Sequence, residues 1–223
     1  NMASDEGSAI NGGFENTASG GGSAISGGYS NTASGYASTL SGGYNNTASG
    51  YESAIGGGDQ NTSSGLSSAI GGGNSNTAGG SVSAIGGGYS NTASGNSSAI
   101  GGGGYNTASA MYATVSGGGP SNASDPSNTN NKATDNYCTI GGGGGNQAGN
   151  ADEDLTNAIY ATVAGGKLNI ASGAYSAIGG GDTNTASAMY ATVSGGGPSN
   201  KSDPVNTNNK ATDNYCTIGG GGG

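Results

Sequence analysis

Large aliphatic residues recur along this chain every 15 residues, and this period restricts the possible folds more than any other feature of the sequence. The aliphatic column consists of Ile10, Ile25, Leu40, Ile55, Ile70, Ile85, Ile100 and Val115. A second column with the same period consists of Ala18, Ala33, Ala48, Ser63, Ala78, Ala93 and Ala108. Each repeat, of idealised form SAIGGGYSNTASGxx, has two short runs joined by glycine-rich turns. The runs are too short and too rich in Gly, Ser, Asn and Thr for helices. The period therefore predicts an all-β fold, a parallel β-solenoid of about 15-residue coils stacked about 4.8 Å apart.

The alternation of side chains along a strand assigns each column to a face. Ser8 and Ile10 are predicted to point inward and Ala9 outward, while in the second run Ala18 points inward and Thr17 outward. The predicted corner ladder, in which side-chain amides satisfy the turns, is Asn16, Asn31, Asn46, Asn61, Asn76, Asn91 and Asn106. Glycines predicted to adopt a positive φ at the other turn are Gly20, Gly35, Gly50, Gly65, Gly80 and Gly95.

The period changes after Val115, where intervals of 25 and 23 residues appear among intervals of 15. The extra residues belong to polar segments around 121–136 and 146–157, which we expect to leave one corner of the coil as loops. Residues 108–145 recur as residues 186–223, with Ala123 replaced by Lys201 and Ser127 by Val205. We therefore divide the chain into a regular solenoid, residues 1–107, and a solenoid with inserted loops, residues 108–223. We also expect these 223 residues to be part of a longer repeat array.

Composition excludes several classes of function. A net charge of −9 leaves no basic surface for nucleic acid. No apolar stretch is long enough to span a membrane, and the first residues do not have the pattern of a signal peptide. The absence of His and Arg removes most hydrolytic triads, His-based metal sites and arginine phosphate clamps. We expect a non-enzymatic protein with no catalytic residue, cofactor or bound metal.

The repeat SAIGGGYSNTASG resembles the haemagglutinin-like repeat of trimeric autotransporter adhesin heads. The resemblance covers essentially the whole chain apart from the inserted loops. It implies a left-handed parallel β-roll, three copies packed around a threefold axis, and a location outside the cell or on its surface. The implied function is that of a structural and adhesive surface fibre. Its implied partners are other copies of the chain, host matrix, cell surfaces or glycans.

Two sets of residues are candidates for recognition. Loops on a rigid scaffold commonly carry binding residues, and the loop candidates are Asn122, Asp125, Asn128, Asn130, Lys132, Asp135, Asp152, Glu153 and Asp154. The three consecutive acids among them suit either a Ca²⁺ site or a solvated loop. A predicted aromatic stripe, suited to sugars, to a partner surface or to covering turns, consists of Phe14, Tyr29, Tyr44 and Tyr89. A second set of tyrosines, suited to the same roles, lies three residues before the aliphatic column and consists of Tyr112, Tyr137, Tyr160, Tyr175, Tyr190 and Tyr215.

Other interpretations of the repeat stay open. The threonine column, from Thr17 to Thr107, also suits an ice-binding solenoid. Similar repeats occur in phage tail-fibre-like proteins, and a tail-spike enzyme would need two carboxylates about 5–9.5 Å apart in a groove. The acids of this chain instead cluster in the predicted loops and near residue 1.

The two cysteines, Cys138 and Cys216, belong to the inward column of small residues. They lie four coils apart, about 19 Å at the ladder spacing, whereas a disulfide needs Cα atoms within about 7 Å. A disulfide within one chain is therefore excluded, and a buried thiol or a bridge between chains remains.

Overall fold

A computed structural model describes residues 1–204 and 207–222, so Val205 lies outside the described residues. The chain forms two compact units, Asn1–Gly103 (unit 1) and Gly104–Gly223 (unit 2). The strands of unit 1 are β1 Met2–Ala3, β2 Ala9–Ile10, β3 Thr17–Ala18, β4 Ala24–Ile25, β5 Thr32–Ala33, β6 Thr39–Leu40, β7 Thr47–Ala48, β8 Ala54–Ile55, β9 Thr62–Ser63, β10 Ala69–Ile70, β11 Thr77–Ala78, β12 Ala84–Ile85, β13 Thr92–Ala93 and β14 Ala99–Ile100. The strands of unit 2 are β15 Thr107–Ala108, β16 Thr114–Val115, β17 Lys132–Ala133, β18 Thr139–Ile140, β19 Gln147–Ala148, β20 Thr162–Val163, β21 Ile170–Ala171, β22 Ala177–Ile178, β23 Thr185–Ala186, β24 Thr192–Val193, β25 Lys210–Ala211 and β26 Thr217–Ile218.

The predicted all-β parallel solenoid is confirmed. In each unit the odd-numbered strands form one parallel sheet, sheet A, and the even-numbered strands form another, sheet B. Pairing joins equivalent residues of successive coils, for example Thr47 with Thr62 and Ile55 with Ile70. Each strand has only two residues, so the solenoid is held together by the hydrogen bonds between many successive coils rather than by long strands.

The predicted inward and outward columns of the regular repeats are also confirmed. Ile55 of sheet B and Ala48 of sheet A are buried in the core, whereas their strand neighbours Ala54 and Thr47 are only half-buried. Opposing a large aliphatic side chain with alanine keeps the two sheets close. The serine column that precedes each aliphatic residue is buried as well, but the hydroxyls of Ser23, Ser38, Ser53, Ser83, Ser98 and Ser176 have no hydrogen-bond partner.

The asparagine column forms the predicted ladder at the corner between the strands. Asn61 donates its side-chain amide to the carbonyl oxygens of Gly57 and Gly73, at 3.0 and 2.9 Å. Asparagine can satisfy several backbone groups at once because one side chain carries both donors and an acceptor. The ladder therefore connects coils through side chains as well as through strands.

The prediction of a positive φ for the glycine column that begins at Gly20 is wrong. Gly20, Gly35 and Gly50 do not have a positive φ; a Cβ atom at Gly50 would instead overlap the carbonyl oxygen of Gly65 in the next coil. This column requires glycine because adjacent coils approach closely at that turn. The left-handed backbone is adopted by other residues, among them Gly58 and Ser67 with φ of 93° and 52°.

The inserted segments leave the coil at two turns, so the prediction of one corner is wrong. The first, between β16 and β17, leaves before the asparagine ladder and is closed by a hydrogen bond from the Ser121 N–H to the Thr129 carbonyl at 2.7 Å. The second, between β19 and β20, leaves after the second strand of its coil. A solenoid tolerates inserts at either turn because neither interrupts a strand pair.

The predicted bounds of the first loop are too wide. Lys132 lies on β17, paired with Thr107 and Gln147. Asn130 and Asp135 are buried, and Asn130 donates its side-chain amide to the Tyr105 carbonyl oxygen at 2.6 Å. The period resumes in these residues, which therefore belong to the coil rather than to the loop.

Candidate binding surfaces

The outer surface of sheet A in unit 1 is an ordered array of hydroxyl groups. Its threonine column is Thr17, Thr32, Thr47, Thr62, Thr77 and Thr92, all half-buried and paired in register. Within residues 1–103, none of these threonine hydroxyls forms a hydrogen bond to another protein group. Ser49 and Ser64 lie two residues after Thr47 and Thr62 and are exposed. The array therefore repeats at the ladder spacing of about 4.8 Å in one direction and at two strand residues, about 6.6 Å, in the other.

The outer surface of sheet B in unit 1 is smoother and less polar. Its outward column is Ala9, Ala24, Thr39, Ala54, Ala69, Ala84 and Ala99. The next outward position is occupied by small residues such as Ser41, Gly56 and Gly71. Neither column carries a charge, so another surface can approach without desolvating an ion or ordering a long side chain.

The predicted aromatic stripe is interrupted. Phe14 stacks on Tyr29 with ring centroids 5.6 Å apart, and Tyr29 stacks on Tyr44 at 5.5 Å. Asp59 and Asn74 occupy the next two positions of the ladder, before Tyr89. A carboxylate one coil along also affects this stripe, since a hydrogen bond to Glu15 and its negative charge raise the pKa of Tyr29.

A longer aromatic stack lies in unit 2, at the second set of tyrosine positions predicted from the sequence. Its members are Tyr112, Tyr137, Tyr160, Tyr175, Tyr190 and Tyr215. Successive ring centroids are 4.7 to 5.1 Å apart, with interplanar angles of 10° to 16°. The signal available in the sequence was the constant position of these tyrosines, three residues before each aliphatic residue.

The geometry of this stack determines what it can bind. All six tyrosines have φ between 58° and 63°, a conformation that is costly for a bulky residue. Stacking at van der Waals distance offsets part of this cost. Because each interior ring covers the face of the next, the stack offers ring edges and hydroxyl groups rather than free faces. A sugar ring can therefore not stack on its interior members.

The side chains of the first insert mainly hold the loop itself. Asn128 donates its amide to Asp125 Oδ1 at 3.0 Å, and the Ser124 N–H donates to Asn122 Oδ1 at 3.0 Å. These three predicted recognition residues lie together at one end of the insert, and Asn122 and Asn128 are exposed.

The acids of the second insert are likewise engaged within the loop. Asp152 accepts the side-chain amides of Asn150 and Asn157, both at 2.9 Å. Asp154 accepts the Thr156 hydroxyl at 2.6 Å, and this bond lowers the pKa of Asp154. Glu153 is exposed between them. Among the described residues, no group of three or more His, Cys, Asp or Glu side chains is arranged to hold a metal ion.

Asp135 anchors the base of this insert. Its Oδ2 accepts the backbone N–H of Asn150 at 2.8 Å and the Thr134 hydroxyl at 3.3 Å. Burial raises the pKa of this carboxyl group, although these hydrogen bonds act in the opposite direction. Asp135 therefore positions the loop from inside the coil.

Cys138 and Cys216 are not paired with each other, as the separation of four coils predicts. Cys138 is fully buried, whereas Cys216 is partly exposed. In the part of the chain that the structure describes, no helix is long and apolar enough to cross a membrane.

No family model matches this sequence, and no curated protein matches it either.

Proposed function

We propose that this protein is a non-enzymatic, extracellular structural and adhesive element that acts through the flat outer surfaces of its β-solenoid. The observation that carries this proposal is the composition of those surfaces: from β3 to β14, every outward strand residue is Thr or Ala. Such surfaces provide extended, repetitive contact rather than a concave site of the kind that encloses a substrate.

The resemblance to trimeric adhesin heads supports a more specific proposal, a left-handed roll that assembles as a homotrimer. Sheet B is the surface suited to this contact. Ala54, Ala69 and Ala84 lose almost no side-chain entropy on burial, and glycines such as Gly71 allow the backbones to approach closely. Sheet A remains available for host matrix, cell surfaces or other copies.

Sedimentation equilibrium tests this proposal. We expect the wild-type chain to sediment as a trimer and the double variant Ala54→Lys, Ala69→Lys to sediment as a folded monomer, because facing copies would bury unpaired ammonium groups. The matched control Thr47→Lys, Thr62→Lys places the same charges on sheet A and should remain trimeric. A monomeric wild-type chain would overturn the trimer and leave the single solenoid as the functional unit.

Ice binding is a second candidate, because one observation specifically favours it. The threonine and serine hydroxyls of sheet A in unit 1 are in register, uncharged and free of hydrogen bonds to the protein. A flat array with a repeat of about 4.8 Å can order water in a regular pattern, and this repeat is close to the lattice repeat of hexagonal ice along its a axis. A charged side chain in the array would disrupt that pattern.

Thermal hysteresis separates the two candidates. Ice binding predicts a gap between the melting and freezing points that the Thr47→Lys, Thr62→Lys variant loses and the Ala54→Lys, Ala69→Lys variant retains. A wild-type chain that produces no gap, and no faceting of ice crystals, would exclude this function and leave the adhesive proposal standing.

A further inference from the structure

The four lysines of this acidic chain are unevenly placed. Lys132 and Lys210 lie on strands of sheet A, whereas Lys167 and Lys201 line a single cavity of about 260 Å³ in unit 2. The chain carries 13 acidic residues against four lysines, whereas this cavity is lined by two lysines and one carboxylate, that of Asp182, and therefore has a net positive charge. Such a cavity attracts an anionic group.

The remaining walls of the cavity have two kinds of chemistry. Leu168, Pro198 and Pro204 provide apolar surface, and Asp182 and Thr183 provide polar groups. The Thr183 hydroxyl donates to Asp182 Oδ1 at 2.8 Å, which leaves the carboxylate with further acceptor capacity. A ligand that satisfies all these walls needs an anionic group, an apolar face and hydroxyl groups.

The chain contains an internal comparison for this cavity. The insert that supplies Pro198, Lys201 and Pro204 is a near copy of the first insert, in which Ala123 stands at the position of Lys201. In the coil before the first insert, Gly104 and Tyr105 stand at the positions of Asp182 and Thr183. Lys201 and the carboxylate of Asp182 therefore have no counterpart at the first insert, although the sequences of the two inserts are otherwise almost identical.

We propose that this cavity binds one uronic acid residue of an acidic polysaccharide. The two ammonium groups pair with the carboxylate of the sugar, Leu168 and the two prolines cover the apolar face of the ring, and Asp182 accepts its hydroxyl groups. The volume is slightly below that of pockets for drug-sized ligands, about 300–1,000 Å³, which suits a single ring. The inference names a partner for the proposed adhesive element and rests on that proposal for its biological role.

An NMR titration of the full chain with sodium glucuronate at low salt tests the site, and glucose serves as the uncharged probe. We expect glucuronate to shift signals of residues around the cavity and glucose to shift none. Lys201→Ala should weaken binding at least about tenfold, since charge-assisted hydrogen bonds contribute strongly. This variant should fold, because the equivalent residue of the first insert is Ala123.

The control variant Lys132→Ala removes one positive charge from unit 2 outside the cavity and should bind as the wild type does. Equal binding of glucose and glucuronate, or no effect of Lys201→Ala, would overturn the proposal. Inorganic sulfate that binds as tightly as glucuronate would also overturn it, because the sugar ring would then contribute nothing. Because the probe is a monomeric sugar, the titration measures binding at this cavity independently of self-association. A chain that does not bind glucuronate would therefore not overturn the proposed trimer.

Discussion

Asn46 and Asn61 are joined by two hydrogen bonds across successive coils. Oδ1 of Asn46 accepts the backbone N–H of Asn61 at 2.9 Å and the side-chain amide of Asn61 at 3.1 Å. The same amide donates to the carbonyl oxygens of Gly57 and Gly73. The side-chain amide and the backbone N–H of Asn61 thus donate to acceptors in three successive coils. The asparagine column therefore stabilises the solenoid in addition to the strand pairs.

Asn61→Asp should therefore destabilise the solenoid by about 3–5 kcal/mol, because it removes the donor and buries an unpaired carboxylate. Chemical denaturation followed by circular dichroism measures the change. The matched control is Asn45→Asp, which makes the same substitution at the exposed residue beside Asn46 and should change stability by less than about 0.5 kcal/mol. Equal denaturation midpoints for the two variants would mean that the ladder is not a major source of stability.

The ladder and the inward columns could be predicted from the sequence because the period repeats many times and fixes the environment of each position. The period alone predicts that Asn61 lies at the corner and Ile55 in the core. The glycine column at Gly50 shows where such reasoning stops. The recurrence of glycine in successive coils is explained equally well by a positive φ and by a close approach of the next coil. Only the position of the Gly65 carbonyl oxygen, which a Cβ atom at Gly50 would overlap, distinguishes the two explanations.

Substitutions of two glycines separate these explanations. Gly50→Ala should destabilise the fold by about 3 kcal/mol or more, because the new Cβ overlaps the backbone of the next coil and cannot move aside. Gly72→Ala should change stability by only about 0.5 kcal/mol in either direction, because no atom lies within 4 Å of the new Cβ and φ is not positive. Thermal unfolding of both variants measures the difference. A Gly50→Ala protein that melts with the wild type would contradict the close packing of coils at this turn.

The candidate surfaces were predicted less completely than the fold. The predicted bounds of the first loop are too wide, because Asn130 and Asp135 are polar and resemble loop residues in the sequence. The structure places both in the coil, where each side chain is buried and forms hydrogen bonds to neighbouring backbone groups. The cavity at Lys167 and Lys201 brings together residues 34 positions apart, and the loop fold that joins them is not encoded in the 15-residue period.

Two serines of the same core column should respond oppositely to alanine. The Ser53 hydroxyl is buried without a partner, so Ser53→Ala should raise stability by about 1 kcal/mol. Ser68 donates to the Gly65 carbonyl oxygen at 2.8 Å and lies 2.7 Å from the Ser63 hydroxyl, so Ser68→Ala should lower stability by about 1 kcal/mol. Parallel denaturant titrations compare the variants under identical conditions. The same sign of change in both would show that the hydroxyl partners do not decide the effect.

The two cysteines should differ in their reactivity. Burial raises the pKa of the Cys138 thiol from 9.0 to about 11, and this thiol also donates to the Ala158 carbonyl oxygen at 3.3 Å. Because the thiolate is the reactive form, an aromatic disulfide reagent at pH 8 should modify the folded chain at Cys216 and reach Cys138 only on unfolding. Cys216→Ser should then leave a folded protein with almost no reactive thiol. Rapid modification of Cys138 in that variant would show that its coil opens readily.

The same shift makes stability depend on pH. The folded chain holds the Cys138 proton more tightly than the unfolded chain, so this stabilisation is fully present below about pH 9 and is lost as the pH rises towards 11. The loss amounts to about 2–3 kcal/mol for a shift of this size. Cys138→Ser keeps a small side chain in a column that is Ser in most coils, and the difference between the two pH profiles removes the contribution of the tyrosines. Parallel profiles from pH 8 to 11 would mean that Cys138 does not control alkaline stability.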